Sequence, residues 1–153
     1  MATPGQDREL QRSLADRANF AVWNTDTLRL SDLDHQRHVN NAVHAVLFTN
    51  GRYHFIQHHV RPHNAEDMPL AMVRITIDYL REMHHPGDVE CGTLIRSIGR
   101  SSITFGQALF KDGKCAAVAE SVMVLLDPKT RRPKPLPAAV VAQLERFKLR
   151  NAD

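Results

Sequence analysis

The sequence predicts an α+β fold in which one long helix packs against an antiparallel sheet. Between residues 39 and 62, apolar side chains recur at helical spacing and cover more than one side of the segment. The following residues, 70–126, form four strand-like segments separated by short turns. Consecutive strands joined by short turns pair antiparallel. A sheet wrapped around the helix explains why the helix is apolar on several sides.

The first strand is predicted over residues 20–31, where Val22, Leu28 and Leu30 share one parity. The long helix ends at Pro62, because proline disfavours the helical conformation for the residue before it. Gly51 stands in the middle of this helix, where glycine costs about 1 kcal/mol relative to alanine. That cost indicates that another part of the backbone comes close to Gly51.

The four later strands and a last helix follow from alternation and turn signals. Segment 70–80 alternates apolar and polar residues, the period of a half-buried strand. Asp112–Gly113 predicts a type I′ hairpin, because that turn needs positive φ at both central residues. A short helix is predicted to begin near Pro137. Its apolar face comprises Val140, Val141, Leu144 and Phe147.

The chain of 153 residues suits one domain, predicted over residues 19–150, after a polar, weakly helical arm at residues 1–18. A single sheet packed on one helix leaves its other face or an edge uncovered. An open edge is a liability unless it is paired, so we expect a homo-oligomer.

Composition excludes several classes of function. The net charge of +3 and the absence of a long basic stripe argue against a nucleic-acid partner. The basic run at 129–134 is expected to be a solvated turn.

No apolar run approaches the ~18 residues of a membrane span. The first twenty residues lack the apolar core of a secretory signal, so we expect a cytoplasmic protein. Cys91 and Cys115 lie in apolar segments and are predicted to be small buried side chains.

The nine histidines raise the question of a metal site. His54 and His58 are spaced to share one face of the helix, with His59 and His63 after them. No HExxH motif is present, and no carboxylate stands at a recognised ligand spacing. We therefore expect no metal, and a metal-dependent enzyme that uses this cluster is kept as an alternative.

The segment SDLDHQRHVNN, residues 31–41, carries the clearest chemical signal. Asn40 or Asn41 can cap the helix that follows, and the helix N-terminus offers free N–H groups and partial positive charge. Asp32 and Asp34 lie just before it. A carboxylate there has two interpretations: a cap or dipole partner, or a catalytic group. As a catalytic group it attacks an acyl carbon or activates water, while backbone N–H groups polarise the acyl oxygen.

Four segments together resemble a known family. SDLDHQRHVNNAVHAVLF is similar to the DxDxxxHVNNxxY segment of the 4-hydroxybenzoyl-CoA thioesterase-like group of hotdog-fold acyl-CoA thioesterases. VRITIDYLREMHHPGD, SIGRSSITF and VLLDPKTRRPKPLP resemble later segments of that family, in the same order. The resemblance covers about residues 20–137. It implies a hotdog fold, dimers that pair their sheets edge to edge, and active sites at the subunit interface.

The resemblance also implies a role for each matching residue. Asp34 would be the catalytic carboxylate, and the backbone N–H of Asn41 would polarise the thioester carbonyl. His38 and Asn40 would shape the pocket, while Asp32 would be structural. The residues expected to bind coenzyme A are Arg100, Ser101 and Ser102.

The chain departs from the family pattern at the helix. His44 stands where many relatives have tyrosine, and Thr49 and Asn50 stand where many carry a glutamate pair. Asp34 would therefore carry the chemistry alone.

The sequence thus predicts an acyl-CoA thioesterase without a separate cofactor, since CoA is part of the substrate. The alternative is a non-catalytic hotdog module that binds acyl-CoA or a partner. Pocket depth is expected to depend on Tyr53, Phe48, Met72 and the loop 59–68. A fatty and an aromatic acyl group both remain open, as do a homodimer and a homotetramer.

Overall fold

A computed structural model describes residues 4–63 and 67–149. Five strands form one antiparallel sheet in the order β1-β3-β4-β5-β2. The strands are β1 (Val22–Thr27), β2 (Leu70–Tyr79), β3 (Asp88–Ile98), β4 (Ser102–Lys111) and β5 (Lys114–Leu125). The helices are α1 (Pro4–Ala15), α2 (Asn41–Phe55) and α3 (Ala138–Glu145). The predicted α+β hotdog fold, with a long central helix against an antiparallel sheet, is confirmed.

Helix α2 is the long helix that the sequence predicts. It continues through a π-helical turn at Ile56–Val60 and a 3₁₀ turn at Arg61–His63, so helical backbone extends to the predicted end. Phe48 and Phe55 are completely buried. The predicted hairpin is also confirmed, because Asp112 and Gly113 have φ angles of 52° and 74°.

Gly51 marks the closest approach of α2 to the sheet. A Cβ atom at this position would overlap the Sγ atom of Cys91 and would lie 3.0 Å from Nε2 of Gln107. The close approach predicted for Gly51 is confirmed, although side chains of β3 and β4 rather than backbone atoms make it. Any larger residue would push the helix off the sheet.

A buried polar network lies beside this contact. Nη1 of Arg52 donates to Oε1 of Gln107 over 2.8 Å. Nε2 of Gln107 donates in turn to the carbonyl of Phe48 and to Oγ1 of Thr93, both over 3.0 Å. Because Gln107 and Thr93 belong to β4 and β3, these bonds tie the middle of α2 to the centre of the sheet.

The opposite face of the sheet is partly covered by the same chain. Leu14 of α1 is 1% exposed and packs with Leu94 and Val118. The sequence predicts that this face or an edge is left open, and α1 closes part of the face. The division into an arm at 1–18 and a domain at 19–150 stays a prediction. Leu14, which belongs to the predicted arm, packs on the sheet of the predicted domain.

The first strand is shorter than predicted. It ends at Thr27, and residues 30–32 form a 3₁₀ turn. Leu30 is 73% exposed, whereas Val22 and Leu28, which share its parity, are buried. The turn forms because the carboxylate of Asp32 accepts the backbone N–H of Arg29 over 2.7 Å.

Strand β2 is an edge strand with an apolar surface. Val73 is 60% exposed, and the pairing of β2 with β5 shifts register between Met72 and Arg74. On the adjacent face of α2, Tyr53 is 64% exposed. Apolar area of this kind beside an open edge indicates an interaction surface.

Across the described ranges, 4–63 and 67–149, no helix has the length and apolar character required to cross a membrane.

We expect Gly51→Ala to destabilise the protein. In an exposed helix the change would add about 1 kcal/mol of stability. Here the new methyl group collides with Cys91, and overpacking of this kind costs about 1–3 kcal/mol. Urea denaturation measures the difference. Because the Cys91→Ala background removes the colliding sulfur atom, Gly51→Ala should cost much less there, and an equal cost in both backgrounds would contradict the close contact.

Candidate active site

The segment between β1 and α2 forms a tight loop that leads directly into the helix. Leu33 and Val39 form an antiparallel bridge. The N–H of Asp34 donates to the carbonyl of His38 over 2.9 Å, and the N–H of Asn40 donates to the carbonyl of Asp32 over 2.9 Å. The loop is therefore one hydrogen-bonded unit whose position is set by the start of α2.

Asp34 is half-buried and is held by its own loop. Its Oδ1 accepts the N–H of Gln36 over 2.9 Å and the N–H of His38 over 3.3 Å. In the part of the chain that the structure describes, no group donates a hydrogen bond to Oδ2. One carboxylate oxygen is thus committed to the loop, and the other is available to a ligand.

The N-terminus of α2 has a free donor. Oδ1 of Asn40 accepts the N–H of Ala42 over 2.9 Å, so Asn40 is the cap, one of the two candidates that the sequence offered. The carbonyl of Asn40 accepts the N–H of Val43 over 2.8 Å. Among residues 4–63 and 67–149, no acceptor pairs with the N–H of Asn41. This N–H therefore lies at the positive end of the helix and is available to a carbonyl or an anion.

Tyr79 ties the end of β2 to this helix terminus. Its Oη atom donates to the carbonyl of Asn41 over 3.2 Å. The loop of Asp34, the tip of α2 and the end of β2 therefore meet at one corner of the molecule.

Asp32 has the structural role that the resemblance implies. It is 5% exposed, and its Oδ1 accepts Nη2 of Arg29 over 3.0 Å. The hydrogen bond from the Arg29 side chain holds the pKa of Asp32 below its usual value. The carboxylate stays ionised and secures the turn in front of the loop.

His44 is buried one turn into α2. Its Nδ1 lies 3.1 Å from the carbonyl of Asn40, and its ring packs edge-on against Tyr79 with centroids 4.9 Å apart. Burial lowers the pKa of His44, so the imidazole is neutral at neutral pH and Nδ1 donates to Asn40. Nε2 is buried and has no partner among the described residues.

His38 contacts the connection between β2 and β3. Its Nε2 lies 3.3 Å from Oε2 of Glu82, and its ring stacks edge-on against His84 with centroids 4.9 Å apart. The carbonyl of His38 also accepts the N–H of Asp34, and the N–H of His38 donates to the carboxylate of Asp34. His38 therefore links the loop to a second segment of the chain.

A groove of about 490 Å³ runs between α2 and β2. Tyr53, Met68 and Met72 line it, as the sequence predicts. Phe48 does not, because it is completely buried under the helix. Other apolar lining residues are Ile56, Leu70, Ile75 and Met123. The groove is therefore a largely apolar surface that opens along the β2 edge.

Arg52 places a cation in the wall of this groove. It is 4% exposed, and burial lowers its pKa. Its Nη1 and Nη2 donate to Gln107 and Thr49. Among the described side chains no carboxylate forms an ion pair with it, so neutral dipoles alone solvate the buried charge.

The predicted coenzyme A residues lie at the other end of the sheet. Ser102 pairs with Val124, whose other neighbour is Ala71 near the start of β2. Tyr79, which contacts the helix tip, lies eight residues further along β2. At about 3.3 Å per residue, some 25 Å separates the two ends. Within one chain, Arg100, Ser101 and Ser102 are therefore not brought together with Asp34 and Asn41.

The basic run at 129–134 is the solvated turn that the sequence predicts. Oδ1 of Asp127 accepts the N–H groups of Lys129 and Thr130. The chain then returns to the β3–β4 hairpin, where the N–H of Leu136 donates to the carbonyl of Arg100 over 2.8 Å. The basic turn and Arg100 therefore lie at the same end of the sheet.

Among the residues that the structure describes, the two cysteines and the pair His54 and His58 do not form a site. Burial raises the pKa of Cys91 to about 12 and that of Cys115 to about 11, so both thiols stay protonated at neutral pH. His54 and His58 lie with ring centroids 4.4 Å apart. Within the described chain no third ligand joins them, and the side chain of His63 lies outside the described residues.

Comparison with protein families identifies the chain. Residues 28–144 match the model of the thioesterase-like superfamily. The chain belongs to this superfamily. The matched range includes the loop of Asp34, helix α2 and all of the sheet except the first strand.

Several solved structures resemble this superfamily member along most of its length. A predicted thioesterase from Bacillus stearothermophilus is 26% identical with a TM-score of 0.78, and the alignment covers 86% of this chain and 98% of that one. A thioesterase from Thermus thermophilus, complexed with coenzyme A and zinc, is 29% identical with a TM-score of 0.72 over 82% and 98% of the two chains. A Staphylococcus aureus protein in complex with CoA shares the fold at 20% identity, with a TM-score of 0.73 over 82% of each chain. A comparison with curated proteins found no match.

The sequence did not lead us to predict two features of this thioesterase-like chain. The first is the buried cation of Arg52, which a charged residue on an otherwise apolar helix face could have indicated. The contact of His38 with Glu82 and His84 is the other. Spacing along the chain gave no signal for it, because the loop and the β2–β3 connection are distant in sequence.

Proposed function

We propose that this superfamily member hydrolyses acyl-CoA thioesters to a free acid and coenzyme A. The observation that best supports this proposal is the unpaired N–H of Asn41 at the tip of α2. The hydrogen-bonded loop that leads into this tip carries the carboxylate of Asp34. Coenzyme A in the Thermus thermophilus thioesterase, which is 29% identical, supports the choice of substrate.

The chemistry follows from these two groups. The thioester carbonyl oxygen accepts the N–H of Asn41, and the helix dipole stabilises the negative charge that develops there. Asp34 acts either as the nucleophile that attacks the acyl carbon or as the base that removes a proton from water. In the base route, the oxygen of water adds to the acyl carbon, the carbon–sulfur bond breaks, and the coenzyme A thiolate takes the proton from Asp34 as the free acid forms. In the nucleophilic route, loss of the thiolate leaves a mixed anhydride on Asp34. Water then hydrolyses the anhydride to the free acid and regenerates the carboxylate, and the proton released goes to the thiolate. The two N–H groups that hold Oδ1 of Asp34 orient Oδ2 for this task.

The groove between α2 and β2 is the proposed site of the acyl group. Its walls are mainly apolar, and its volume of about 490 Å³ lies in the range of small-molecule pockets. A fatty acyl chain and an aromatic acyl group both suit such a surface. Asn40 and His38, which hold the loop beside the helix tip, complete the proposed pocket.

A dimer through β2 would complete the site. If β2 pairs antiparallel with a second copy of itself, the start of one β2 lies beside the end of the other. Arg100, Ser101 and Ser102 of the partner subunit would then lie near the helix tip, about 25 Å from the same residues of the first chain. The basic turn next to Arg100 suits the phosphates of coenzyme A. A tetramer of two such dimers preserves the same arrangement.

The alternative is a non-catalytic module that binds acyl-CoA or a partner. One observation favours it: Oδ1 of Asp34 already serves as a cap of its own loop. Release of free thiol from a panel of acyl-CoAs separates the two functions. Binding of coenzyme A without release from any member would favour the module. In either case, a cytoplasmic location and the absence of a separate cofactor stay predictions.

Asp34→Asn should reduce kcat by about 10²–10⁴-fold, the usual contribution of a positioned base. The asparagine oxygen can still accept the N–H groups of Gln36 and His38, so the loop and the fold should persist. Thiol release and circular dichroism measure the two properties. Asp112→Asn, in an exposed hairpin, is the matched control and should keep full activity. Wild-type turnover by Asp34→Asn would refute the role of the carboxylate.

Asn41→Pro should reduce kcat by about 10²–10³-fold, because it removes the N–H that polarises the carbonyl. Proline is well tolerated at the first position of a helix. Asn40 has φ −56° and ψ 136°, a conformation compatible with a following proline. Asn41→Ala retains the N–H and serves as the control. If both variants lose activity equally, the side chain and not the backbone donor is responsible.

Val73→Glu should convert the oligomer to monomers and abolish most thiol release. Val73 is 60% exposed on the edge strand and does not line the groove, and a carboxylate there would be desolvated in a paired sheet. Thr25→Glu, an exposed position on the opposite edge strand, should leave the mass unchanged. Light scattering after gel filtration gives the mass. A wild-type protein that is monomeric and fully active would contradict the shared site.

A further inference from the structure

A cluster of metal-ligand side chains lies next to the loop of Asp34. His38, Glu82 and His84 each offer one ligand atom, and these atoms lie within 4.8 Å of one another. Among the residues described, 4–63 and 67–149, this is the one group of three such side chains. It is separate from the pair formed by His54 and His58.

The distances suit a tetrahedral metal ion. Zinc bonds of about 2.0–2.1 Å at the tetrahedral angle place neighbouring ligand atoms about 3.3 Å apart. Nε2 of His38 lies 3.3 Å from Oε2 of Glu82, and Nε2 of His84 lies 3.8 Å from the same oxygen. All three ligand atoms lie within 4.8 Å of one another. The side chains of Glu82 and His84 are 64% and 60% exposed, so they are free to move to the spacing that a metal ion requires.

The ligand types select the class of metal. Two imidazoles and one carboxylate are one of the donor sets of three-ligand zinc sites, in which water fills the fourth position. Magnesium and calcium prefer oxygen donors alone. The cluster therefore suits zinc and neighbouring divalent transition metals.

The backbone around the cluster is already well positioned. Met83, between the two exposed ligands, is 2% exposed and packs in the core with Leu28 and Val39. The N–H of Val39 donates to the carbonyl of Met83 over 2.8 Å. This backbone hydrogen bond holds the loop beside the β2–β3 connection, so the three ligands already lie close together before an ion binds.

We propose that His38, Glu82 and His84 bind one zinc-class transition-metal ion, which fastens the loop of Asp34 to the β2–β3 connection. The N–H and the carbonyl of His38 hold Asp34, so an ion on the His38 imidazole restrains the carboxylate as well. The site does not depend on the proposed hydrolase function. Its failure would leave that proposal unaffected.

The direct test is zinc titration of the full chain without an affinity tag, followed by calorimetry. One ion per chain should bind with a dissociation constant in the micromolar range or below. His84→Ala and Glu82→Ala should each weaken binding at least tenfold, because each removes one of three ligands. His58→Ala removes an exposed histidine outside the cluster and should leave the affinity unchanged. Equal affinity in wild type and His84→Ala would overturn the proposal, as would loss of binding in His58→Ala.

Two further measurements distinguish this site from weak surface binding. Cobalt(II) should give the strong visible absorption of a tetrahedral site with wild type and not with His84→Ala. Hydrogen exchange of the 34–41 amides should slow on addition of zinc in wild type alone. Zinc bound without either effect would refute the clamp on the loop, even if the stoichiometry were one.

Discussion

The contact between α2 and the sheet at Gly51 is the constraint on which the rest of the structure depends. The absence of a side chain at Gly51 lets the helix settle onto Cys91 and Gln107. The bonds from Gln107 to Arg52 and to the Phe48 carbonyl then fix how far the helix is rotated and shifted along its axis. With the middle of α2 fixed, its N-terminus lies beside the end of β2 and its last turns lie beside the start of β2. The tip, the loop of Asp34 and the groove all take their positions from this one contact.

The buried polar groups of α2 carry an electrostatic cost that neighbouring dipoles offset. Arg52 keeps its charge in the groove wall because Gln107 and Thr49 accept hydrogen bonds from its guanidinium group, although burial lowers its pKa. His44 is buried without a charge, because burial lowers its pKa, and its Nδ1–H donates a hydrogen bond to the Asn40 carbonyl. The corner around the helix tip therefore combines a neutral imidazole, an ionised Asp32 and an unpaired N–H. The proposed mechanism uses the unpaired N–H of this corner to polarise the thioester carbonyl.

The distribution of functional groups along β2 links chemistry to assembly. The helix tip and Asp34 lie at one end of the sheet, and Arg100 with the basic turn lies at the other. Under the proposed function, two chains paired through β2 would bring opposite ends together, and one coenzyme A could then engage both sets. The apolar, ten-residue edge of β2 offers the surface for such a pairing. The opposite edge strand, β1, has six residues.

The sequence by itself determined the elements and the motif. Alternation along 70–80, the Asp112–Gly113 turn and the helical spacing before Pro62 are local signals, and local backbone chemistry decides them. The glycine in α2 also indicated a close approach before any coordinates. Only the tertiary structure decided that α1 docks through Leu14, that β1 stops before Leu30, and that Phe48 faces the core rather than the groove. It alone joined His38 to Glu82 and His84 and separated Arg100 from Asp34. These are contacts between distant segments, and they follow from how helix and sheet pack together, which no short stretch of sequence encodes.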